Sequence, residues 1–337
     1  MTNQTNIEWC DFTVNFWEGC QKVGPGCDHC YAETRDKRFT GGKHWGPGAP
    51  RRKVKGGIDK LRKINRDAEQ FHADHGHWPR VFCSSLSDVF DNTVSIEWRS
   101  EAFEAIDIAT DTRILLLTKR IGNVFKMVPA TWLQDGWPSH IGLMITVVNQ
   151  EEANRDIPKL LDLKARFGIP WVGLSVEPML GHVDLTGWFW GPDSSCEECP
   201  KDADCECGWE FRKDLPNAIA PGSIDWVICG GESGPGARPM HPDWVRSLRD
   251  QCKAAETPFL FKQWGEWAPW NHTSLIPGYN FSANGTDKRL HVSPEGKTGG
   301  DPHTPGDYTM YRTGKKAAGR LLDGQPWTQF PDEIQSI

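Results

Sequence analysis

The sequence predicts an α/β fold: a partial or full (β/α) barrel of parallel strands. Three observations carry that expectation. Short apolar runs alternate with helical stretches about seven times along the 337 residues, the rhythm of βα units joined by right-handed crossovers. Several runs are near-continuous Val, Ile, Leu and Phe, as in strands covered on both faces. Each run then ends in charge or glycine, so that the carboxyl ends together build one polar mouth.

The first strand is read as TVNFW (Thr13–Trp17) and the second as RVFCSS (Arg80–Ser85), with a helix over Ile58–Ala73 between them. RILLLT (Arg113–Thr118) is the third. It follows a helix in which Ala102, Phe103 and Ile106 share one face and Ser95 is placed as N-cap. The fourth is GLMITVV (Gly142–Val148); the segment Glu151–Ala165 after it contains Pro158, which is expected to split or kink a helix there. WVGLSV (Trp171–Val176) and DWVICG (Asp225–Gly230) are the fifth and sixth. HPDWVRSLRDQCKAA puts Pro242 in a first helical turn and Val245, Leu248 and Cys252 on one side, before the seventh strand PFLFKQ (Pro258–Gln263). The barrel is expected to occupy 1–270, with a Cys-rich insertion at 191–212. Residues 271–337, rich in Gly, Pro, Asn and Ser, read as an irregular C-terminal covering segment, and Gly314–Trp327 as a short closing helix and turn.

A formal net charge of −7 argues against a chain coated in basic surface for non-specific nucleic-acid binding. RRKVKGG (Arg51–Gly57) is either a local basic groove or a solvated loop. MTNQTNIEWCDF is polar and no run of about 18 apolar residues marks a membrane span. A cytoplasmic protein with no membrane partner is the expectation. Clustered cysteines in a reducing compartment bind metal or do chemistry more often than they form disulfides.

GCQKVGPGCDHCYAE (Gly19–Glu33) holds Cys20, Cys27 and Cys30 just after the first strand. Three thiolates do not complete a structural zinc site, which takes four ligands. They do suit a [4Fe–4S] cluster with one iron left open to chelate a small molecule through an amine and a carboxylate. The alternative is zinc with a fourth ligand from His29, His44 or Cys10. Cys83, Cys229 and Cys252 read as small core residues.

IEWCDFTVNFWEGCQKVGPGCDHCYAE, together with SDVF, LLLTKR, GLSVEPMLG, WVICGGESGPGARPM, FLFKQWGEW and GKKAAGRLLDG, resembles a family of phage and prophage proteins with a three-cysteine motif. The likeness runs over nearly the whole chain. That family is in turn similar to the radical S-adenosylmethionine (radical SAM) superfamily. The resemblance implies a barrel with a [4Fe–4S] cluster after the first strand, S-adenosylmethionine as cofactor, and its cleavage to a 5′-deoxyadenosyl radical. It also implies host cytoplasm as the location and a partner protein encoded nearby. The superfamily spaces its cysteines by three residues, then two; here the gaps are six and two.

If the cluster is present, the strand exits take tasks. Glu232, Gly230, Gly231 and Ser233 resemble an element that holds the methionine amine, although here it follows the sixth strand. Arg238 is placed to pair with the methionine carboxylate and Glu177 to hold ribose hydroxyls. Lys119, Asp88, Lys262 and Gln263 are left to face substrate or supply a proton. Any one of these also has a plain structural reading, as a turn cap, a packing glycine or a solvent-facing pair. A nucleic-acid base or nucleotide is the substrate class considered. In the insertion, Cys196, Cys199, Cys205 and Cys207 suit a closed zinc site or a second iron–sulfur cluster. The competing functions are a non-enzymatic, zinc-stabilised adaptor for nucleic acid or protein, and, more weakly, a metal-assisted hydrolase or nuclease.

Overall fold

The seven apolar runs pair as one parallel sheet. The computed structural model describes residues 4–189, 224–269, 289–299 and 304–335. It places the strands at Phe12–Val14, Arg80–Cys83, Arg113–Thr118, Ile141–Thr146, Val172–Val176, Trp226–Gly230 and Phe259–Gln263. Their spatial order is their chain order. A doubly wound sheet reverses direction at a switch point and carries helices on both faces; a sequential order with right-handed crossovers keeps every helix on one face. The sheet therefore curls, helices outside. The first and seventh strands do not pair with each other, so the barrel is partial.

The two faces separate with the period of two that a strand imposes. Outward residues such as Val81, Ile114, Leu143, Leu174, Val227 and Phe261 pack into the large core shared with the helices. Inward residues Phe82, Leu115, Met144, Trp226, Ile228 and Leu260 form a second core. Aromatic rings close its amino-terminal end: Trp9 lies 4.6 Å from Phe82, Trp171 6.3 Å from Trp226, and Phe330 5.2 Å from Trp226. Further along the fourth to seventh strands the inward positions become Thr146, Ser175, Gly230 and Lys262. The barrel is plugged with apolar rings at one end and polar at the other.

Local signals account for the helices. Ser95 accepts the Trp98 amide at 3.3 Å and starts the helix Ile96–Asp107; Pro242 starts Pro242–Ala254. The helix expected over Ile58–Ala73 is two, Gly57–Arg66 and Ala68–His75, meeting at Asp67. The helix Gln150–Phe167 is not split by Pro158. Its buried face, with Ala153, Ile157, Leu160 and Leu161, holds it against the core. The carbonyl that the proline leaves without a donor belongs to Asn154, an exposed residue that water can reach.

The first strand is shorter than expected. Trp17–Glu18 leaves the sheet and pairs antiparallel with Arg52–Lys53. This ties down the basic run: Arg51 is buried against Asp91 at 2.6 Å, Arg52 pairs with Glu18 and Lys53 with Glu101. The C-terminal segment carries more regular structure than its composition indicates. Trp267–Pro269, Tyr308–Arg312 and Arg289–Val292 form a three-stranded antiparallel sheet, and Lys315–Ala318 is the closing helix. Cys196, Cys199, Cys205 and Cys207 lie outside the described residues, as does most of the insertion's surroundings. No described helix is long and apolar enough to cross a membrane.

Candidate metal centre at the barrel mouth

The loop bearing Cys20, Cys27 and Cys30 crosses the carboxyl ends of the strands. A Cβ on Gly26 would stand 2.7 Å from Val148 and 3.7 Å from Pro178, and one on Gly24 2.5 Å from the Glu152 carboxylate. Glycine lets the loop lie directly on the fourth and fifth strand exits. Cys27 ends the 3-10 turn Pro25–Cys27, and Cys30 is the N-cap of the helix Tyr31–Thr40. The Cys30 side chain makes no capping hydrogen bond to that helix. All three cysteines are free and half-buried. Burial pushes the Cys20 thiol up to about 11, against the pull of Arg120. Burial also raises Cys30, against the opposing pull of the backbone at Glu33 and Ala32. Unligated, Cys20 and Cys30 are thiols, so a metal must displace their protons.

Two arginine–carboxylate pairs grip this loop from opposite sides. On one side Arg120 Nη1 donates to Cys20 Sγ at 3.4 Å and to Asp88 at 3.0 Å, while Nη2 donates to the Gln21 carbonyl at 2.9 Å. Asp88 also accepts from the Thr118 hydroxyl at 2.9 Å, the Phe90 amide at 2.9 Å and the Lys119 amide at 3.1 Å. Burial opposes the Arg120 charge, yet Asp88 and Cys20 hold its pKa above the usual range. Asp88, expected to face substrate or supply a proton, instead aims an arginine at a cysteine. Arg120 was not among the expected site residues; its signal was its place in TKR, one residue beyond Lys119.

On the other side Glu232 accepts from Arg238 at 2.7, 2.8 and 2.9 Å and lies 3.0 Å from His29 Nδ1. Arg238 continues to Asp28 at 3.1 Å and the Pro25 carbonyl at 2.8 Å. Burial would raise the Glu232 carboxyl, but Arg238 and His29 hold it below the ordinary carboxylate range. Both residues were expected to meet a methionine group; here they satisfy each other and the cysteine loop. Gly231 has a packing reason, since a Cβ there would stand 1.9 Å from the Trp264 carbonyl oxygen. Gly230 makes room for Glu177, whose carboxylate would be 2.7 Å from its Cβ.

Beneath the loop the inward polar residues pair. Lys262 Nζ is 2.9 Å from Glu177, whose other oxygen accepts from Ser175 at 3.4 Å. Burial works against the Lys262 ammonium, and Glu177 nonetheless raises its pKa. Lys119 Nζ donates to Thr146 Oγ1 at 3.0 Å. Gln263 Nε2 donates to Ser233 Oγ at 3.0 Å. Gln263 Oε1, Ser84 Oγ and Ser87 Oγ are buried with no partner. Ser84 and Gln263 sit at the exits of the second and seventh strands, where buried polar atoms of this kind await a ligand or water.

Among the described residues no three His, Cys, Asp or Glu side chains converge on one metal position. His29 is bonded to Glu232, His44 to the Pro50 carbonyl, and Cys10 is buried near Lys262 and Cys83. Thiolates that bind separate irons stand farther apart than four ligands of one tetrahedral ion. The donor set of three loop thiols beside Arg120 and Lys119 suits a cluster that takes three protein thiolates.

A family model described as "Protein of unknown function (DUF5131)" matches residues 4–331. The chain belongs to that family. No curated protein matches it in sequence. Among solved structures it is similar to a mutant of spore photoproduct lyase, with 14% identity, a TM-score of 0.37, and coverage of 90% of this chain and 68% of that one. It is also similar to spore photoproduct lyase complexed with dinucleoside spore photoproduct, with 13% identity, a TM-score of 0.38, and coverage of 90% and 69%.

Proposed function

We propose that this DUF5131 member is a radical S-adenosylmethionine enzyme that holds a [4Fe–4S] cluster on Cys20, Cys27 and Cys30. One observation carries the reading: a three-thiol loop lies across the polar end of a partial parallel barrel. Bound there with S-adenosylmethionine, such a cluster supplies reductive cleavage of the sulfonium and so a 5′-deoxyadenosyl radical.

The chain's own residues hold, orient and shield. Arg120 and Lys119 offset thiolate charge at the loop. The Glu232–Arg238 pair fixes the loop against the sixth strand exit. Glu177, Lys262, Gln263 and Ser84 offer hydrogen-bonding groups to the polar parts of cofactor and substrate. The ring plug of Trp9, Trp171 and Trp226 keeps water from entering at the far end. A nucleic-acid base or nucleotide is the substrate class we favour, because a base edge presents the donors and acceptors that Gln263 Oε1 and Ser84 Oγ lack.

The test is anaerobic reconstitution with iron and sulfide, then incubation with S-adenosylmethionine and a strong reductant. We expect brown protein with absorbance near ~400 nm and 5′-deoxyadenosine by mass spectrometry. Iron-replete protein that releases none overturns the reading.

A further inference from the structure

We propose that Arg120, aimed by Asp88, sets the reduction potential of the cluster bound through Cys20. The inference rests on the cluster reading above and assigns to Arg120 a positioning and electronic role that the chain's motif does not announce.

Both arginine–carboxylate pairs reach the cysteine loop, but they touch different things. Arg238 meets the Pro25 carbonyl and the Asp28 carboxylate. Arg120 meets a ligand sulfur, Cys20 Sγ, at 3.4 Å. A hydrogen bond to a ligating sulfur and a nearby positive charge both favour the more negative, reduced cluster, and so raise its potential. Arg120 is only 9% exposed and Asp88 5%, so solvent screens this effect weakly. Asp88 has a double part. It fixes the guanidinium through one shared contact while its remaining acceptor capacity goes to Thr118, Phe90 and Lys119. It also cancels part of the charge that the cluster would otherwise feel. One pair is electronic, the other mechanical.

The two roles separate in a redox titration followed by electron paramagnetic resonance on reconstituted wild type, R120Q, D88N and R238Q. R120Q is expected to titrate at a more negative potential than wild type, and D88N at a more positive one. R238Q is expected to titrate with wild type but to lose iron faster to a chelator. An R120Q cluster at the wild-type potential overturns the proposal. So does a shift in R238Q as large as that in R120Q, since charge near the loop, and not contact with sulfur, would then be the cause. If R120Q takes up no iron, D88N decides: a potential at or below wild type overturns it. Wild type that shows no iron–sulfur absorbance overturns both this proposal and the cluster reading, whereas an intact cluster with unmoved potentials overturns this one alone.

Discussion

Cys20, Cys27 and Cys30 differ from Cys83, Cys229 and Cys252 in what surrounds them. The latter three are fully buried on apolar faces, where burial holds each thiol above its ordinary range. The loop cysteines are half-buried, and Cys20 accepts a hydrogen bond from Arg120. Alanine at any loop cysteine is expected to bring iron retained after reconstitution and desalting down to background; C252A is expected to keep it. Metal analysis by mass spectrometry reads both. The Glu177–Lys262 pair makes a separate stability statement. Its side chains are 14% and 19% exposed, so K262M leaves a largely buried carboxylate alone and is expected to cost about 3 kcal/mol in urea denaturation. The double variant E177Q/K262M is expected to recover most of that. Both residues were legible as strand-exit charges. That they pair was not, because a contact between the exits of two strands depends on register and curl. Arg120 escaped notice for a related reason: a charged residue after a Lys reads as a solvent-facing neighbour until topology shows which way the chain turns.

The cysteine loop is an element without regular structure, and side chains from three strand exits stand in for a hydrogen-bond ladder. Removing the Glu232–Arg238 side with R238Q is expected to speed hydrogen exchange at the Cys27 and Asp28 amides, which now bond to Gly24 and Pro25. Exchange in the sheet is expected to stay unchanged. Strand positions were readable from apolar runs, and the Ser95 and Pro242 helix starts from local caps. The break at Asp67 was not, since Ile58–Ala73 offers no proline or glycine to mark it. The helix through Pro158 shows tertiary burial prevailing over a local breaker. Another cap carries a pH dependence. His241 is fully buried, accepts the Asp243 amide on Nδ1 at 3.2 Å and donates Nε2–H to the Gly306 carbonyl at 2.9 Å. Burial holds its pKa below the ordinary 6.5. The folded state thus binds fewer protons than the unfolded one, so stability is full above about 6.5 and falls as pH drops below it. H241N keeps a helix cap that does not titrate. It is expected to flatten the fall in melting temperature between about pH 6.5 and 5.

At the scale of the whole molecule, the strictly sequential sheet does the work of placing the site. It gathers seven strand exits on one rim, and the inward face goes from apolar rings and aliphatic side chains at one end to Thr146, Ser175 and Lys262 at the other. The alternation of strand and helix made that architecture legible, and the near-continuous apolar runs made the parallel sheet legible. The amino-terminal plug was not, because Trp9, Trp171 and Phe330 come from distant parts of the chain. The small sheet of the C-terminal segment was hidden by its glycine- and proline-rich composition. The central claim is that the three loop thiols hold a cluster with one iron open to a small molecule. Electron paramagnetic resonance of the reduced, reconstituted protein, before and after adding S-adenosylmethionine, reaches it most directly. A cluster signal that changes on addition, and that is lost with Cys20, Cys27 or Cys30 replaced, is the expected result. A signal indifferent to S-adenosylmethionine, or zinc in place of iron at these cysteines, would contradict it.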